Sequence, residues 1–183
     1  MRGIGQIENL SKYSEPDIAV ITNIGTAHIG LLGSKKNITH AKCEISKFLN
    51  PKGVVIIPAN DPFLEKTLKR FWKGRVIKVK LLNIENQKDS FKKDDNLQGF
   101  YNPSNETILI EENTFKISFE GFHNASNFLF AYAVAKELGI DFESFNKFDF
   151  VSLGGRNKIL KSCLLYTSPS PRDRTRSRMP SSA

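Results

Sequence analysis

Two side chains near the start of the chain could carry chemistry, the lysine at position 42 and the histidine at position 28. Lys42 lies in a predicted helix, inside a stripe of apolar residues that recur three and four positions apart. A lysine held away from water has a lowered pKa, and its neutral amine can act as a nucleophile or take up CO₂ to form a carbamate. A carbamate carries anionic oxygens, which suit Mg²⁺. The alternative is a lysine at the stripe edge whose amine reaches water.

His28 follows an apolar run, Ile18 to Ile21, and lies in a loop that contains several glycines. Open α/β sheets bind ligands beyond the carboxyl ends of their strands, so this loop could face a ligand. A lone loop histidine is more often a surface residue, and its interest comes from Lys42 a short distance along the chain. The segment from Gly30 to Lys35 does not fit G-x-x-x-x-G-K-[ST], so we predict no phosphate loop there.

Two asparagines and one arginine are candidate binding residues. Asn124 is predicted to cap the last long helix, and Asn127 to project toward its apolar side with Ala131 and Val134. A buried amide needs a hydrogen-bonding partner, and the edge of an adenine would supply one. Arg156 follows two glycines and could bring a guanidinium to a phosphate.

The elements that must position these residues follow from periodicity and from turn residues. Strands are predicted at 17–22, 54–57, 76–79, 99–101, 107–110 and 115–119, and helices near 4–10 and at 37–50, 63–72 and 124–138, with a solvated loop at 83–96. Asn60 and Asp61 precede one of these helices, where capping and a functional role explain them equally well. Alternating strands and helices followed by a meander predict an α/β fold with a mostly parallel sheet and an antiparallel part.

Composition sets broad limits on the function. The 183 residues are 39% hydrophobic and 25% charged, which is ordinary for a globular domain. No apolar run reaches the roughly 20 residues of a membrane span, and two cysteines give no disulfide framework, so we expect a cytoplasmic protein without membrane partners.

The net charge of +8 depends partly on the last 21 residues, 163–183. Four arginines and one aspartate there contribute +3, which leaves 23 basic and 18 acidic residues, or +5, in the remainder. This tail is rich in Ser, Pro and Arg without periodicity, and it resembles the translation of a sequencing adapter. The alternative is a basic arm that binds nucleic acid.

The order of the motifs resembles the Mur ligase family, in its central ATPase domain. The matching segments are N-I-x-x-A-H-x-x-x-x-G-S, A-K-x-E-I, N-D, H-N-x-x-N and G-G-R-N-K, and they extend over about residues 1–161. Within the family, Ala27-His28 followed by Gly33-Ser34 is most similar to the ligases that add D-alanyl-D-alanine to UDP-N-acetylmuramoyl-tripeptide.

The resemblance implies roles for five residues with ATP and Mg²⁺ as cofactors. His28 would bind Mg²⁺, Lys42 would be carbamylated and hold a second Mg²⁺, Asn124 and Asn127 would contact adenine, and Arg156 would approach the phosphates. The implied reaction is ATP-dependent amide formation through an acyl phosphate in the synthesis of peptidoglycan precursors. Its partners would be UDP-N-acetylmuramoyl-tripeptide and D-alanyl-D-alanine, with no nucleic acid, in a monomeric enzyme.

Several parts that the resemblance leads one to expect are absent, among them a phosphate loop, a glutamate ligand, and the N- and C-terminal domains. We therefore expect a domain truncated at both ends and inactive alone, with a partial central domain at 1–158, the start of a link at 159–162 and the foreign tail at 163–183. Three alternatives stay open: another Mur ligase or a folylpolyglutamate synthase-like ligase, a basic nucleic-acid-binding protein, and a noncatalytic α/β module.

Overall fold

The structure, a computed structural model, describes residues 3–26, 29–86, 96–117 and 121–140, which all belong to one compact unit, Met1–Phe148. The helices in these residues are α1 Gln6–Ser14, α2 Ile29–Leu32, α3 Lys35–Cys43, α4 Pro62–Leu68 and α5 Phe122–Glu137, with 3₁₀ turns at Glu44–Ser46 and Ile84–Asn86. The strands are β1 Ile18–Val20, β2 Val54–Pro58, β3 Arg75–Asn83, β4 Asn96–Asn102, β5 Thr107–Ile110 and β6 Asn113–Lys116. No helix among these residues is long and apolar enough to cross a bilayer.

The six strands form one sheet in sequence order, β1-β2-β3-β4-β5-β6. The first four strands run parallel, and β5 and β6 follow β4 as an antiparallel meander. This arrangement confirms the predicted α/β class with a mostly parallel sheet and an antiparallel part. The strand β6 begins earlier than predicted, at Asn113, and residues 118–120 lie outside the described part of the chain.

A hydrophobic core lies on each side of the sheet. Val55 and Ile57 of β2 belong to the core shared with α3 and α4, whereas Ile56 between them belongs to the core shared with α5. Side chains alternate between the faces of a strand, so a strand covered on both sides must be apolar throughout. The unbroken apolar run at Val54–Ile57 is therefore explained by burial on both faces.

The predicted helix at 37–50 is shorter in the structure. The α-helix ends at Cys43 and continues as a 3₁₀ turn, Glu44–Ser46. Cys43 and Glu44, at the junction of the helix and this turn, are fully buried. Cys43 is buried because α3 also packs against α4, so that the helix has more than one covered side.

The last helix also corrects two predictions. It begins at Phe122 with Gly121 as its N-cap, so Asn124 lies inside the first turn and is not the cap. Asn127 and Ala131 are exposed rather than buried. The buried residues of this helix are Ala125, Leu129, Phe130, Tyr132, Ala133 and Ala135. Because α5 carries apolar residues on nearly every side, its periodicity could not identify the covered face. The predicted end at position 138 is confirmed, because Leu138 is the C-cap and Gly139 follows it with a positive φ of 68°.

Candidate functional site

The amine of Lys42 lies beyond the carboxyl end of β1. Its Nζ donates a hydrogen bond to the main-chain oxygen of Asn23 at 2.6 Å, and the side-chain oxygen of Asn23 lies 3.5 Å from the same amine. Asn23 is three residues past Val20, the last residue of β1. The sequence placed Asn23 in a motif but could not assign it a contact, and the structure identifies it as the hydrogen-bonding partner of Lys42.

Lys42 is half-buried, at the edge of the covered face of α3. Burial lowers the pKa of its ammonium group, because a charged group loses hydration there. The two sequence interpretations of Lys42 placed it either at the edge of the apolar stripe or away from water. The structure shows both features, an edge position and partial desolvation. A lysine in this state is neutral more often than one in water, and a neutral amine is the form that reacts with CO₂.

The loop before α3 fixes the direction in which the helix leaves the sheet. Gly33 has a φ of 75°, a conformation that glycine adopts without strain. Ser34 caps the helix by accepting the N–H of Asn37 at 3.2 Å, and the Asn37 amide donates to the Leu32 carbonyl at 2.7 Å. The turn into α3 thus explains Gly33 and Ser34 without a phosphate loop.

A buried glutamate fixes the other end of α3. The carboxylate of Glu44 accepts the N–H of Gly5 at 2.8 Å and lies 3.4 Å from the N–H of Glu8, at the start of α1. Gly5 is the N-cap of α1, and that helix has no side-chain cap of its own. Glu44 therefore joins α1 to the segment that carries Lys42. No signal in the sequence marks this role of Glu44, because its partners are main-chain N–H groups 36 and 39 positions away.

Two of the predicted site residues, His28 and Arg156, lie outside the described residues. The flanks of the histidine loop are held together, since the Thr26 carbonyl accepts the N–H of Ile29 at 3.0 Å. The convergence of His28 with Lys42 stays a prediction. The polar pair Asn60-Asp61 is explained by capping, because Asp61 accepts the N–H of Leu64 at 2.9 Å.

The first turn of α5 lies at the same edge of the sheet as Asn23. Tyr101, near the carboxyl end of β4, accepts the N–H of Gly121 through its hydroxyl at 3.3 Å. At the opposite edge, Arg75 at the start of β3 forms a bidentate ion pair with Glu137 at the end of α5. Because α5 runs against the parallel strands, its start must face their carboxyl ends.

Asn124 and Asn127 lie about one turn apart at that start, and Asn127 is exposed. The strands β1 and β4 are separated by β2 and β3, so these two strands lie three strand spacings apart, on the order of 15 Å, and the Lys42 group and the asparagines do not adjoin the same strand. An elongated ligand could contact both groups, whereas a small one could not.

The part of the chain that the structure describes contains no group of three or more His, Cys, Asp or Glu side chains able to hold a metal ion. The described carboxylate, thiol and imidazole side chains therefore form no metal centre near Lys42 by themselves. The chemistry of Lys42 fits the role of a metal ligand, because its half-buried amine is available for conversion to an anionic oxygen ligand.

Comparison with known protein families identifies the family of this domain. Residues 1–135 match the family described as the Mur ligase middle domain. The chain therefore belongs to the Mur ligase middle domain family.

Two named relatives show which Mur ligases the chain is similar to. The chain is 36% identical over 143 residues to the UDP-N-acetylmuramoyl-tripeptide–D-alanyl-D-alanine ligase of Synechocystis, a match that covers 78% of this chain and 29% of that protein. It is 33% identical over 144 residues to the Bacillus subtilis ligase of the same name, covering 76% of this chain and 29% of that protein. The chain thus spans less than a third of the length of these relatives.

Solved structures share the fold. A crystal structure of MurF from Acinetobacter baumannii superimposes with a TM-score of 0.67 at 24% identity, covering 89% of this chain and 35% of that one. MurF ligase from Thermotoga maritima, solved in complex with ADP, gives a TM-score of 0.63 at 21% identity and covers 88% and 37%. At these identities the likeness supports the architecture alone.

Proposed function

We propose that this domain serves an ATP-dependent amide ligase that joins D-alanyl-D-alanine to UDP-N-acetylmuramoyl-tripeptide. Membership of the family and the names of the relatives support this reaction. The observation that carries it is Lys42, whose half-buried amine is held 2.6 Å from the Asn23 carbonyl with a lowered pKa. An ordinary surface lysine would need neither a fixed partner nor partial burial.

Lys42 would act as a carbamate. The ammonium group first loses one proton to solvent; the neutral amine then adds to CO₂, the new N–C bond forms as one C=O π bond opens, and a second proton leaves to solvent, so that the cation becomes an anion. The carbamate and His28 would hold Mg²⁺, which neutralises phosphate oxygens when bound. The main-chain oxygen of Asn23 would still accept a hydrogen bond from Lys42, because a carbamate nitrogen retains one N–H.

The nucleotide would lie along the carboxyl edge of the sheet. Asn124 and Asn127 would contact the adenine, since a carboxamide offers both a donor and an acceptor to the base edge. Arg156 would approach the phosphates. The spacing of about 15 Å between β1 and β4, the strands next to which Lys42 and the start of α5 are held, suits an extended triphosphate better than a compact ligand.

The proposal can be tested in a chimera in which the matching segment of the Synechocystis ligase is replaced by residues 3–140 of this chain. We expect ATP-dependent formation of the D-alanyl-D-alanine adduct, and a loss of at least about 100-fold in kcat for Lys42→Ala, the scale of losing one electrostatic catalytic group. Lys36→Ala is the matched control, because Lys36 is an exposed lysine of the same helix.

Full activity of the Lys42→Ala chimera would remove the carbamate assignment. Ligation of another amino acid or of a folate in place of D-alanyl-D-alanine would favour another Mur ligase or a folylpolyglutamate synthase-like enzyme. A cytoplasmic location and a monomeric state belong to the same proposal, and sedimentation of the active chimera would test the second.

A further inference from the structure

We propose that Tyr101 is a positioning residue that sets the place of the nucleotide-binding end of α5. The inference rests on the proposed contact of Asn124 and Asn127 with adenine. Tyr101 itself would touch no ligand. It would act through Gly121, to which it is bonded.

Tyr101 is well placed to hold the start of this helix. Its side chain is buried, with 4% of the residue exposed, and its hydroxyl accepts the N–H of Gly121 at 3.3 Å. Gly121 has a φ of 102° and gives α5 no side-chain cap. The first N–H groups of a helix lack partners within it, so an acceptor from the sheet stabilises this end. The ring of Phe122, the next residue, also lies edge-on to Tyr101, at 6.4 Å between centroids.

The strand that carries Tyr101 already lies close to α5. Gly99, two residues earlier on the same face of β4, leaves so little room that an added Cβ would lie 3.0 Å from Leu129. This contact fixes the distance between strand and helix at the middle of α5. The Tyr101 hydroxyl then fixes the helix at its start, about two turns before Leu129.

Separate contacts hold the distal half of α5. The hydroxyl of Tyr132 bonds the Glu111 carboxylate at 3.2 Å, and Arg75 pairs with Glu137 near the last turn. A change at Tyr101 should therefore alter the position of the start while the rest of the helix stays in place. The shift would reach Asn124 directly, because its N–H donates to the Gly121 carbonyl at 3.0 Å.

The test uses two substitutions of the same kind, Tyr101→Phe and Tyr132→Phe. Each removes one hydroxyl from a buried tyrosine, Tyr101 of β4 or Tyr132 of α5 itself, but only the first lies near the proposed adenine site. In the chimeric ligase we expect Tyr101→Phe to raise the KM for ATP about fivefold, the scale of one lost hydrogen bond, with kcat changed less than twofold. The preference for ATP over GTP should fall with it. Tyr132→Phe should leave both the KM and the preference unchanged.

Amide hydrogen exchange in the 183-residue chain gives a second readout. Tyr101→Phe should speed exchange at Gly121–Ala125 and leave the last turn of α5 protected as before. An unchanged KM for ATP, an unchanged nucleotide preference or an equal effect of Tyr132→Phe would overturn the inference. A chimera that ligates nothing although Tyr101 and Tyr132 are both intact would contradict the proposed function instead.

Discussion

At the scale of single residues, the buried carboxylate of Glu44 is the least expected feature of the molecule. Burying a carboxylate is unfavourable unless hydrogen bonds replace the lost water. Here the start of α1 supplies them, because its first N–H groups point at the carboxylate and its dipole favours a negative charge. Ser11, on the same helix, adds a bond to the Glu44 carbonyl at 3.4 Å. The helix α1 buries only Ser11, so these polar contacts attach it to the domain.

Replacing Glu44 by Gln should therefore destabilise the domain by about 1–3 kcal/mol, the cost of leaving a buried polar group with a poor partner. Urea unfolding of the 183-residue chain measures this change. Glu8→Gln is the matched control, since it removes a partly exposed ion pair with Lys47 at 2.5 Å and should cost no more than about 1 kcal/mol. An equal loss of unfolding free energy in the two variants would show that the buried hydrogen bonds of Glu44 add nothing to the stability of the domain.

Tyr132 gives the domain a predictable response to alkaline pH. Burial, with the nearby Glu111 carboxylate, raises the pKa of this phenol to about 12. The unfolded chain ionises near its ordinary pKa of about 10, so the stabilising effect of the neutral phenol is complete below pH 10 and is lost as the pH rises toward 12. Tyr132→Phe should flatten the fall in urea midpoint over this window. Tyr13→Phe, at an exposed tyrosine, should follow the original chain.

Single residues also show which features of the candidate site could be predicted from the sequence. Periodicity selected Lys42 as an unusual lysine, and its partial burial and lowered pKa agree with that. The sequence could not find the Asn23 carbonyl, because a main-chain acceptor 19 positions away has no residue type to mark it. Asn127 was assigned to the wrong side of α5, because a helix apolar on nearly every side gives no preferred face.

At the scale of elements, three glycines differ in whether their surroundings leave room for a side chain. A Cβ on Gly53, between α3 and β2, would lie 2.5 Å from the main-chain oxygen of Asp17. A Cβ on Gly99 would meet only the ends of Leu129 and Ile108, at 3.0 and 3.1 Å. Gly30 in α2 has open space around it. Flexible side-chain ends can move, whereas the backbone oxygen at the β1–β2 junction cannot.

We therefore expect Gly53→Ala to cost about 3 kcal/mol or more, Gly99→Ala about 1–2 kcal/mol, and Gly30→Ala to be neutral or slightly stabilising. Thermal and urea unfolding of the three variants measure the order. A Gly53→Ala variant as stable as Gly30→Ala would mean that β1 and β2 can separate without loss. That result would also weaken the placement of Asn23 beyond β1.

The elements were largely predictable because each has a local signal. Pro62 after Asp61 marks the start of α4, and Gly139 marks the end of α5. The long strand β3, Arg75–Asn83, was predicted at only half its length. Its polar residues Lys78 and Lys80 resemble a loop in the sequence, but Lys78 pairs with Glu65 at 2.8 Å, so it can lie in a covered strand.

At the scale of the whole molecule, the parallel order of β1 to β4 brings together residues that are distant in the sequence. Asn23 follows β1 and Tyr101 lies near the end of β4, three positions away in the sheet, and both lie toward its carboxyl edge. The two covering layers contribute different parts, because α3 presents Lys42 from one face and α5 presents its asparagines from the other. The strand order could not be read from the sequence, since patterns fix strand type and not pairing partners.

The charge of the whole chain supports a last prediction, which separates the ligase from the nucleic-acid-binding alternative. The chain carries +8, of which residues 163–183 contribute +3 through a cluster of four arginines. Basic side chains elsewhere, such as Arg75, Lys78 and Lys136, are already paired with carboxylates on the domain. Because affinity for a polyanion depends on free clustered cations, binding to DNA should reside in the tail.

Deleting residues 163–183 should therefore abolish retention of the chain on heparin and on duplex DNA at about 150 mM salt, near physiological ionic strength. Replacing the four tail arginines by Ser is the matched control, because it keeps the length of the chain and removes the same charge. The folding midpoint in urea should be the same for all three proteins. Binding that survives the deletion and falls steeply with salt would assign a nucleic-acid partner to the domain itself, because only clustered cations outside the tail could then release the counterions.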